Sequence, residues 1–393
     1  MPRPPKVCFA IESPFSDRDF ERFGIQEMLR DCDVSILSTI RVSKLPYDEV
    51  RTDSNGDAIR FTAPQTYRDL WKWIRIERPN FYVDLVGSSP AAVTMRLALR
   101  AASCARIVCA QGDVPHAMTW VNPNSLRGMP GRKLVGLLTP RAVLAVVGGQ
   151  VALQRNEVVE ATSRLLSQSL DANLFAQIRR SVSPYNSSHE RYAVFVDEGM
   201  TEHPDLLHHR LSPPLEASAY YPPLAGFFDR VEEILEMPVK IAAHPSSTNP
   251  NRLSQFEHRA VSIGRTAQMI AGSELVFVHA STARSYAVLA DKPLVFLTSK
   301  ALEESWIGPS IRLGSDILNC PLAFFDETPT PAEARSWLQS RDSEAYRDYL
   351  RSYLVASDEL ALDSSWRAVA EWICRDTATS SRRTRTQTAK PPV

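Results

Sequence analysis

Apolar residues along the first hundred positions follow two rhythms in turn. An unbroken run at 7–11 gives way to helical spacing over 20–32, where Phe20, Phe23, Ile25, Met28 and Leu29 share a face. A second run at 34–40 reads as a strand. A helix is predicted over 67–77 with its stop at Pro79, followed by strand 81–86, helix 91–102 and strand 106–110. Strands alternating with helices of about 10–15 residues predict βαβ units and a parallel sheet. Asn55-Gly56 marks a turn within the long 41–66 connection, suited to the tip of a hairpin.

The segment 134–153 is the most membrane-like of the chain, yet Pro140, Arg141 and Gly148-Gly149 interrupt it. A spanning helix needs about 20 apolar residues in a row, so a buried helix is expected there, with a membrane-surface contact as the alternative. Residues 155–180 have a helical pattern, polar on one side, and the stretch 181–188 reads as a linker. The alternation then restarts with strand 192–196, helix 224–235, strands 239–243 and 260–263, helix 266–271, strand 275–278, helix 283–290 and strand 294–297. Segments 331–339 and 343–374 look helical, with aromatics at Trp337, Tyr346, Tyr349, Tyr353, Trp366 and Trp372. The expectation is an α/β protein of two doubly wound, Rossmann-like domains at 1–185 and 190–325. C-terminal helices at 330–375 would pack across both, and the Ser/Thr/Arg-rich tail 376–393 would be disordered.

Length and charge narrow this picture. The 393 residues suffice for two domains, each with its own core. Equal numbers of basic and acidic residues, 45 of each, argue against a nucleic-acid binder. Six scattered cysteines are too sparse for a disulfide scaffold and point to a reducing cytoplasm. Cys104 and Cys109 lack a second pair at zinc spacing and read as core. The N-terminus runs from Met1-Pro2-Arg3-Pro4-Pro5-Lys6 straight into the first strand, without the apolar region of a signal peptide.

In open α/β sheets, ligands bind beyond the carboxyl ends of the strands, so the strand-to-helix loops carry the candidate chemistry. Asp197-Glu198-Gly199 directly follows the run 192–196. One of two adjacent carboxylates can face a ligand while its neighbour's charge raises its pKa, which suits a general base; a solvated acidic turn is the plain alternative. His244-Pro245 follows 239–243. A histidine there can donate to a leaving phosphate, with proline stiffening the loop, or it can simply cap the strand. In His279-Ala280-Ser281-Thr282, Ser281 or Thr282 would be the N-cap of the next helix, beside free N–H groups that suit an anion. Ordinary capping is the alternative. Gly264-Arg265-Thr266 repeats the arrangement one unit earlier, with Thr266 as the cap and Arg265 as a phosphate partner. The chain has no G-x-S-x-G elbow and no Walker sequence.

Taken in order over about a hundred residues, these motifs resemble those of bacterial sialyltransferases and polysialyltransferases, which carry D/E-D/E-G, HP and a Ser/Thr pair. Residues 279–296 are also similar to a broader group of bacterial surface-polysaccharide glycosyltransferases, with H-x-S-T-x-x-x-x-A-V-L-x-x-K-P-x-x-F. The layout of two doubly wound halves and C-terminal helices is similar to that of GT-B glycosyltransferases and of non-hydrolysing sugar-nucleotide epimerases. The likeness is best over 192–300, moderate over 6–30 and weak elsewhere. It implies Asp197 as general base, His244 assisting a departing cytidine monophosphate, and Ser281 and Thr282 holding its phosphate. Glu198, Gly199, Pro245, Gly264, Arg265, Thr266 and His279 would line the nucleotide and phosphate site. Some surface-polysaccharide relatives have a bulkier residue where Gly199 stands, so that motif alone does not set the donor.

Glu12-Ser13-Pro14-Phe15-Ser16-Asp17-Arg18-Asp19 and the following Phe20-Glu21-Arg22 also resemble a segment of those polysaccharide enzymes. At the end of the first strand, this would bring Ser13, Arg18 and Arg22 to the cleft side of the N-terminal domain; a capped helix start is the alternative. Gly87-Ser88-Ser89-Pro90 forms a similar loop after the third strand. His203, His208 and His209 match no standard ligand spacing, so no metal is expected. The combined expectation is a cytoplasmic, metal-independent glycosyltransferase without a resident cofactor. Its substrates would be a nucleotide-sugar donor, CMP-linked, and a glycan or glycolipid acceptor held by the 1–185 domain. Peripheral contact with the inner membrane and a homodimer are compatible with it. Two rivals stay open: a UDP-sugar epimerase of the same fold, and a non-catalytic polysaccharide-assembly protein.

Overall fold

A computed structural model describes residues 3–13, 15–45, 59–87, 89–115, 139–181, 190–202, 206, 211–244, 249–357 and 364–388. The chain divides into two compact units, one drawn from Met1–Gly112, Val121–Leu174 and Glu359–Val393, the other from Asp113–Trp120 and Phe175–Asp358. The first contains β1 (Lys6–Ile11), α1 (Asp17–Arg22), α2 (Ile25–Met28), β2 (Asp33–Ser38), α3 (Ile40–Ser43), β3 (Arg60–Thr62) and α4 (Tyr67–Glu77). It continues with β4 (Phe81–Leu85), α5 (Pro90–Ala101), β5 (Ala105–Ala110), β6 (Ala142–Val147), α6 (Asn156–Val159) and β7 (Ser163–Leu166), and α7 (Leu170–Ser181) leads out of it. The second unit holds β8 (Ala193–Val196), α8 (Ala217–Leu235), β9 (Val239–Ala243), α9 (Pro250–Leu253), β10 (Val261–Ile263), α10 (Thr266–Gly272) and β11 (Leu275–Val278). After these come α11 (Arg284–Leu289), β12 (Leu294–Thr298), α12 (Lys300–Glu304), α13 (Gly308–Leu318), β13 (Leu322–Phe324), α14 (Pro331–Ser336) and α15 (Ser343–Tyr349). The last helix, α16 (Ser365–Thr388), belongs to the first unit again.

Both sheets are parallel throughout. Their strand orders are β3-β2-β1-β4-β5-β6-β7 and β10-β9-β8-β11-β12-β13. Each therefore reverses direction beside its first strand, between β1 and β4 and between β8 and β11. Such a reversal opens a crevice at the carboxyl ends, where ligands of doubly wound sheets bind. The expected α/β architecture of two Rossmann-like domains is thus the one observed.

Local chemistry explains the elements. β1 and β8 are covered on both faces, which is why they read as continuous apolar runs rather than alternations. Ser16 and Asp19 form a capping box at α1, Thr66 caps α4, and Ser89 caps α5 ahead of Pro90 at its first position. In the first core, Trp366 of α16 stacks on Phe9 (5.3 Å) and Phe23 (6.1 Å), and its indole N–H donates to Arg22 O at 3.2 Å. Gly24 has φ +51°, and a Cβ there would lie 2.8 Å from Trp366 Cβ, so only glycine lets α16 approach α2 this closely.

Several expectations are corrected. Of the membrane-like segment, the described part holds strand β6 and not a buried helix: six apolar residues carry no period, and its valines favour a pleated surface. Among the described residues, no helix is long and apolar enough to cross a membrane. The helical reading of 155–180 merges α6, strand β7 and α7. α8 begins at Ala217, ahead of Pro222 and Pro223, because Tyr220 and Tyr221 are buried and tertiary packing holds the turn that the prolines weaken. The C-terminal helices divide between the units: α14 packs on α8 and α15 on α13, whereas α16 packs on α2. α16 also continues to Thr388, past the expected start of disorder at Asp376, since neither glycine nor proline interrupts it before Pro391. The Asn55-Gly56 turn and residues 182–188 of the linker lie outside the described residues.

Candidate active site

β8 delivers the acidic pair to the reversal of the second sheet. Its ladder persists for one more residue, where Asp197 N–H donates to Ala242 O at 3.0 Å. The Asp197 side chain is fully buried. Its Oδ2 is paired with Arg252 Nη1 at 2.5 Å, and its Oδ1 accepts from Gly199 N–H at 3.0 Å. Gly199 adopts φ +65°, which turns the chain back for that bond at no steric cost. Arg252 is set in place by α9, whose Asn249 cap and Pro250 start it, and its Nε pairs with Glu202 at 2.9 Å. Tyr221 bonds the same guanidinium and lies 3.2 Å from Thr201 Oγ1.

Glu198 points instead across the reversal. Its Oε1 accepts from His279 N–H at 3.1 Å, and Ser281 N–H also bonds the carboxylate. The residue keeps some exposure. Burial pushes its carboxyl up to about 7, helped by the Asp197 charge and opposed by the two amides and the Arg284 charge. Arg284 is itself buried, donating from Nη2 to Pro115 O at 2.9 Å and from Nε to Tyr349 Oη at 3.4 Å.

The His279 ring has no exposure. Its Nδ1 is 2.7 Å from Leu297 O, and its Nε2 is 2.9 Å from Tyr220 Oη. Nδ1 therefore carries the hydrogen and Nε2 accepts from the tyrosine. Burial depresses its pKa to about 4, so the ring is neutral near pH 7. The ring ties β11 to β12 and α8, and the backbone N–H of His279 is what meets Glu198 at the reversal. α11 begins at Arg284 with Ala283 at the N-cap, so neither Ser281 nor Thr282 caps it. Ser281 Oγ instead accepts from Ala283 N–H at 3.2 Å, making a turn ahead of the helix. Ser281 is partly exposed and Thr282 exposed.

His244, partly exposed, leaves the sheet alongside Glu198: Val196 pairs with Ala242, and each residue stands two positions beyond that pair. Pro245 lies outside the described residues, as do His203, His208 and His209. Gly264, Arg265 and Thr266 follow β10, at the sheet edge two strands from β8, and are not gathered with the acidic pair. Arg265 occupies the N-cap, so Thr266 is the first helical residue rather than the cap. In the first unit, Arg18 Nη2 (3.5 Å) and Arg22 Nη2 (3.8 Å) converge on Asp171 of α7, while Ser13 is exposed.

Sequence reasoning missed three groups. Arg252 is the ionic partner of Asp197, but no local pattern distinguishes it among the basic residues. Tyr220 sits ahead of two prolines and was outside the predicted helix. Glu12 stands at the end of β1 as the acidic pair stands at the end of β8, and the same rule would have found it. A further trio, Asp229, Glu232 and His258, lies close enough for a cation, but Arg259 Nη2 already contacts Asp229 (2.5 Å) and Glu232 (2.8 Å).

No protein-family model and no curated protein sequence matches the chain. Among solved structures, it is similar to a putative UDP-N-acetylglucosamine 2-epimerase from Listeria monocytogenes, with TM-score 0.52 and 12% identity over 97% of this chain and 98% of that one. It is also similar to CalG4, the calicheamicin glycosyltransferase (TM-score 0.52, 11% identity, 97% and 99% covered). A UDP-N-acetylglucosamine 2-epimerase from Rickettsia bellii matches with TM-score 0.52 and 8% identity, again over 97% and 99%. With its two all-parallel sheets, each reversing beside its first strand, the chain has the GT-B-type fold of two Rossmann-like domains found in these glycosyltransferases and epimerases.

Proposed function

We propose that this protein is a glycosyltransferase that moves a sugar from a nucleotide donor onto a hydroxyl of a glycan or glycolipid. The observation that carries the reading is the carboxylate of Glu198 at the strand-order reversal of the second sheet, with His244 leaving the neighbouring strand beside it. A transferase needs a group that accepts the acceptor's proton and donors that stabilise the departing phosphate. Glu198 suits the first task; His244 and the hydroxyls of Ser281 and Thr282 suit the second. No metal ion or resident cofactor enters this scheme. A CMP-linked donor, sialic acid among the candidates, and a bacterial surface glycan as acceptor are supported by the motif resemblance. On this reading the reaction runs in the cytoplasm.

The epimerase-like structures support a second reading, in which the same fold inverts a centre of a UDP-sugar without any acceptor. One experiment separates the two. The protein is incubated with CMP-, UDP- and GDP-sugars, each with and without glycan acceptors, and nucleotide release and sugar configuration are followed. Nucleotide release that depends on acceptor is the expected outcome. Conversion of a UDP-sugar without acceptor would establish the epimerase.

A further inference from the structure

Within the Asp197-Glu198-Gly199 segment, we propose that Glu198 takes the proton from the acceptor hydroxyl, and that Asp197 and Arg252 form a positioning pair that holds it there. This assignment rests on the glycosyltransferase reading above and departs from the role that the motif resemblance gives to Asp197. Asp197 cannot readily act as the base: its carboxylate is sealed from solvent and engaged on both oxygens, by Arg252 Nη1 and by Gly199 N–H. Protonating it would break its buried ion pair with Arg252, which is unfavourable in a site closed to solvent. Glu198 is partly exposed, and among the described residues its hydrogen-bond donors are backbone N–H groups on its β11 side.

The step balances simply. As the anomeric carbon–oxygen bond of the donor breaks, its electron pair leaves with the nucleotide phosphate. The acceptor oxygen forms the new bond to the anomeric carbon, and its proton passes to Glu198, which later releases it to water. Burial, the Asp197 charge, the Arg284 charge and the backbone N–H groups of His279 and Ser281 set the proton affinity of Glu198; the other titratable groups on neighbouring elements are the neutral His279 ring, Tyr220 of α8, His244 after β9, and Arg252 of α9, which is paired with Asp197. Burial and the Asp197 charge raise that affinity to about 7, where a base is loaded and unloaded with equal ease.

The test uses the full chain, the donor and acceptor found active above, and steady-state rates from pH 5.5 to 8.5. Glu198→Gln should lower turnover by at least about 100-fold, the usual range for a lost general base, while binding of the nucleotide of the active donor by calorimetry changes less than about threefold. Wild-type kcat/KM should fall on the acid side with a midpoint near 7. Asp197→Asn should keep an acid limb in its residual activity but move it to lower pH, because the charge that raises the Glu198 proton affinity is gone. A purely structural role for Glu198 would not produce that displacement. If Glu198→Gln does not fold by circular dichroism, Glu198→Asp replaces it; it should retain the limb and lose turnover by at least about tenfold, since the carboxylate is withdrawn by one methylene. The assignment is overturned if the Gln variant stays within fivefold of wild type, if wild type has no acid limb, or if Asp197→Asn abolishes the limb. Absence of transfer by wild type with every donor would overturn the transferase reading itself, and this assignment with it.

Discussion

Each unit ends its first strand in a glutamate that reaches across the reversal of its sheet, yet the two glutamates are held in opposite ways. Glu12 accepts from Gly87 N–H at 3.1 Å, from Ser43 Oγ at 2.7 Å and from Ser89 Oγ. The loop that binds it is locked in turn by Arg96, which donates to Val86 O (2.8 Å) and Gly87 O (2.9 Å) while paired with buried Asp84. Glu198 has, among the described residues, the backbone amides of His279 and Ser281 as donors, and a buried carboxylate as its chain neighbour. One topology thus builds a carboxylate well supplied with hydroxyl donors in the first unit, and a poorly solvated one in the second. In the second unit, burial makes ionisation of Glu198 near neutral pH costly, and that cost is what makes a proton acceptor.

The comparison can be broken first at the buried pairs. Asp84→Ala takes the buried carboxylate from both Arg96 and Arg106, and Arg252→Ala takes the buried guanidinium from Asp197; each should lose about 3–5 kcal/mol by urea denaturation. Burial pushes the Asp84 carboxyl up, but the hydrogen bonds and charges of Arg96 and Arg106 outweigh it and hold it below the usual carboxylate range. Its contribution is therefore present above about pH 4 and lost as pH falls through the lowered value. His279→Leu comes next, at about 2–4 kcal/mol, because Tyr220 Oη and Leu297 O both lose their partner in a dry core.

The two glutamates then give effects of opposite sign. The Glu198 carboxyl is raised above its unfolded value, so its favourable share is full below about pH 4.5 and lost as pH rises through about 7. Glu198→Gln should accordingly raise stability by about 2 kcal/mol at pH 8, a gain that disappears by pH 4.5. Glu12→Gln should instead destabilise by about 1 kcal/mol, through weakened bonds to Ser43, Ser89 and Gly87. Thermal melts of both variants at pH 8 check the pair; the same sign for both would remove the contrast between the units.

Much of this was legible locally. The runs at 7–11, 239–243, 275–278 and 294–297, apolar but for Lys240, all proved to be buried parallel strands, because a strand covered on both faces is apolar at nearly every position. Short edge strands β3, β7 and β13 escaped notice: half-exposed, three or four residues long, they carry little pattern. At the site, the position of Asp197-Glu198 after a strand was readable, but the direction of each side chain was not. The motif resemblance implied Asp197 as the base and put Glu198 in the nucleotide and phosphate site. The pleat, the turn at Gly199 and the arrival of Arg252 from 55 residues away seal the Asp197 carboxylate and leave Glu198 partly exposed. His279 shows the same limit, since nothing near it in sequence announces that Tyr220 and Leu297 will enclose its ring.

By itself, then, the amino-acid sequence determined the class of fold, the order of the strands' apolar runs, and the loops in which polar chemistry would gather, because periodicity and caps are properties of neighbours in the chain. Tertiary structure alone decided which of two adjacent acids is sealed and which can exchange a proton. That choice depends on solvent exclusion and on charges brought together across strands, and both arise only when the sheet has formed.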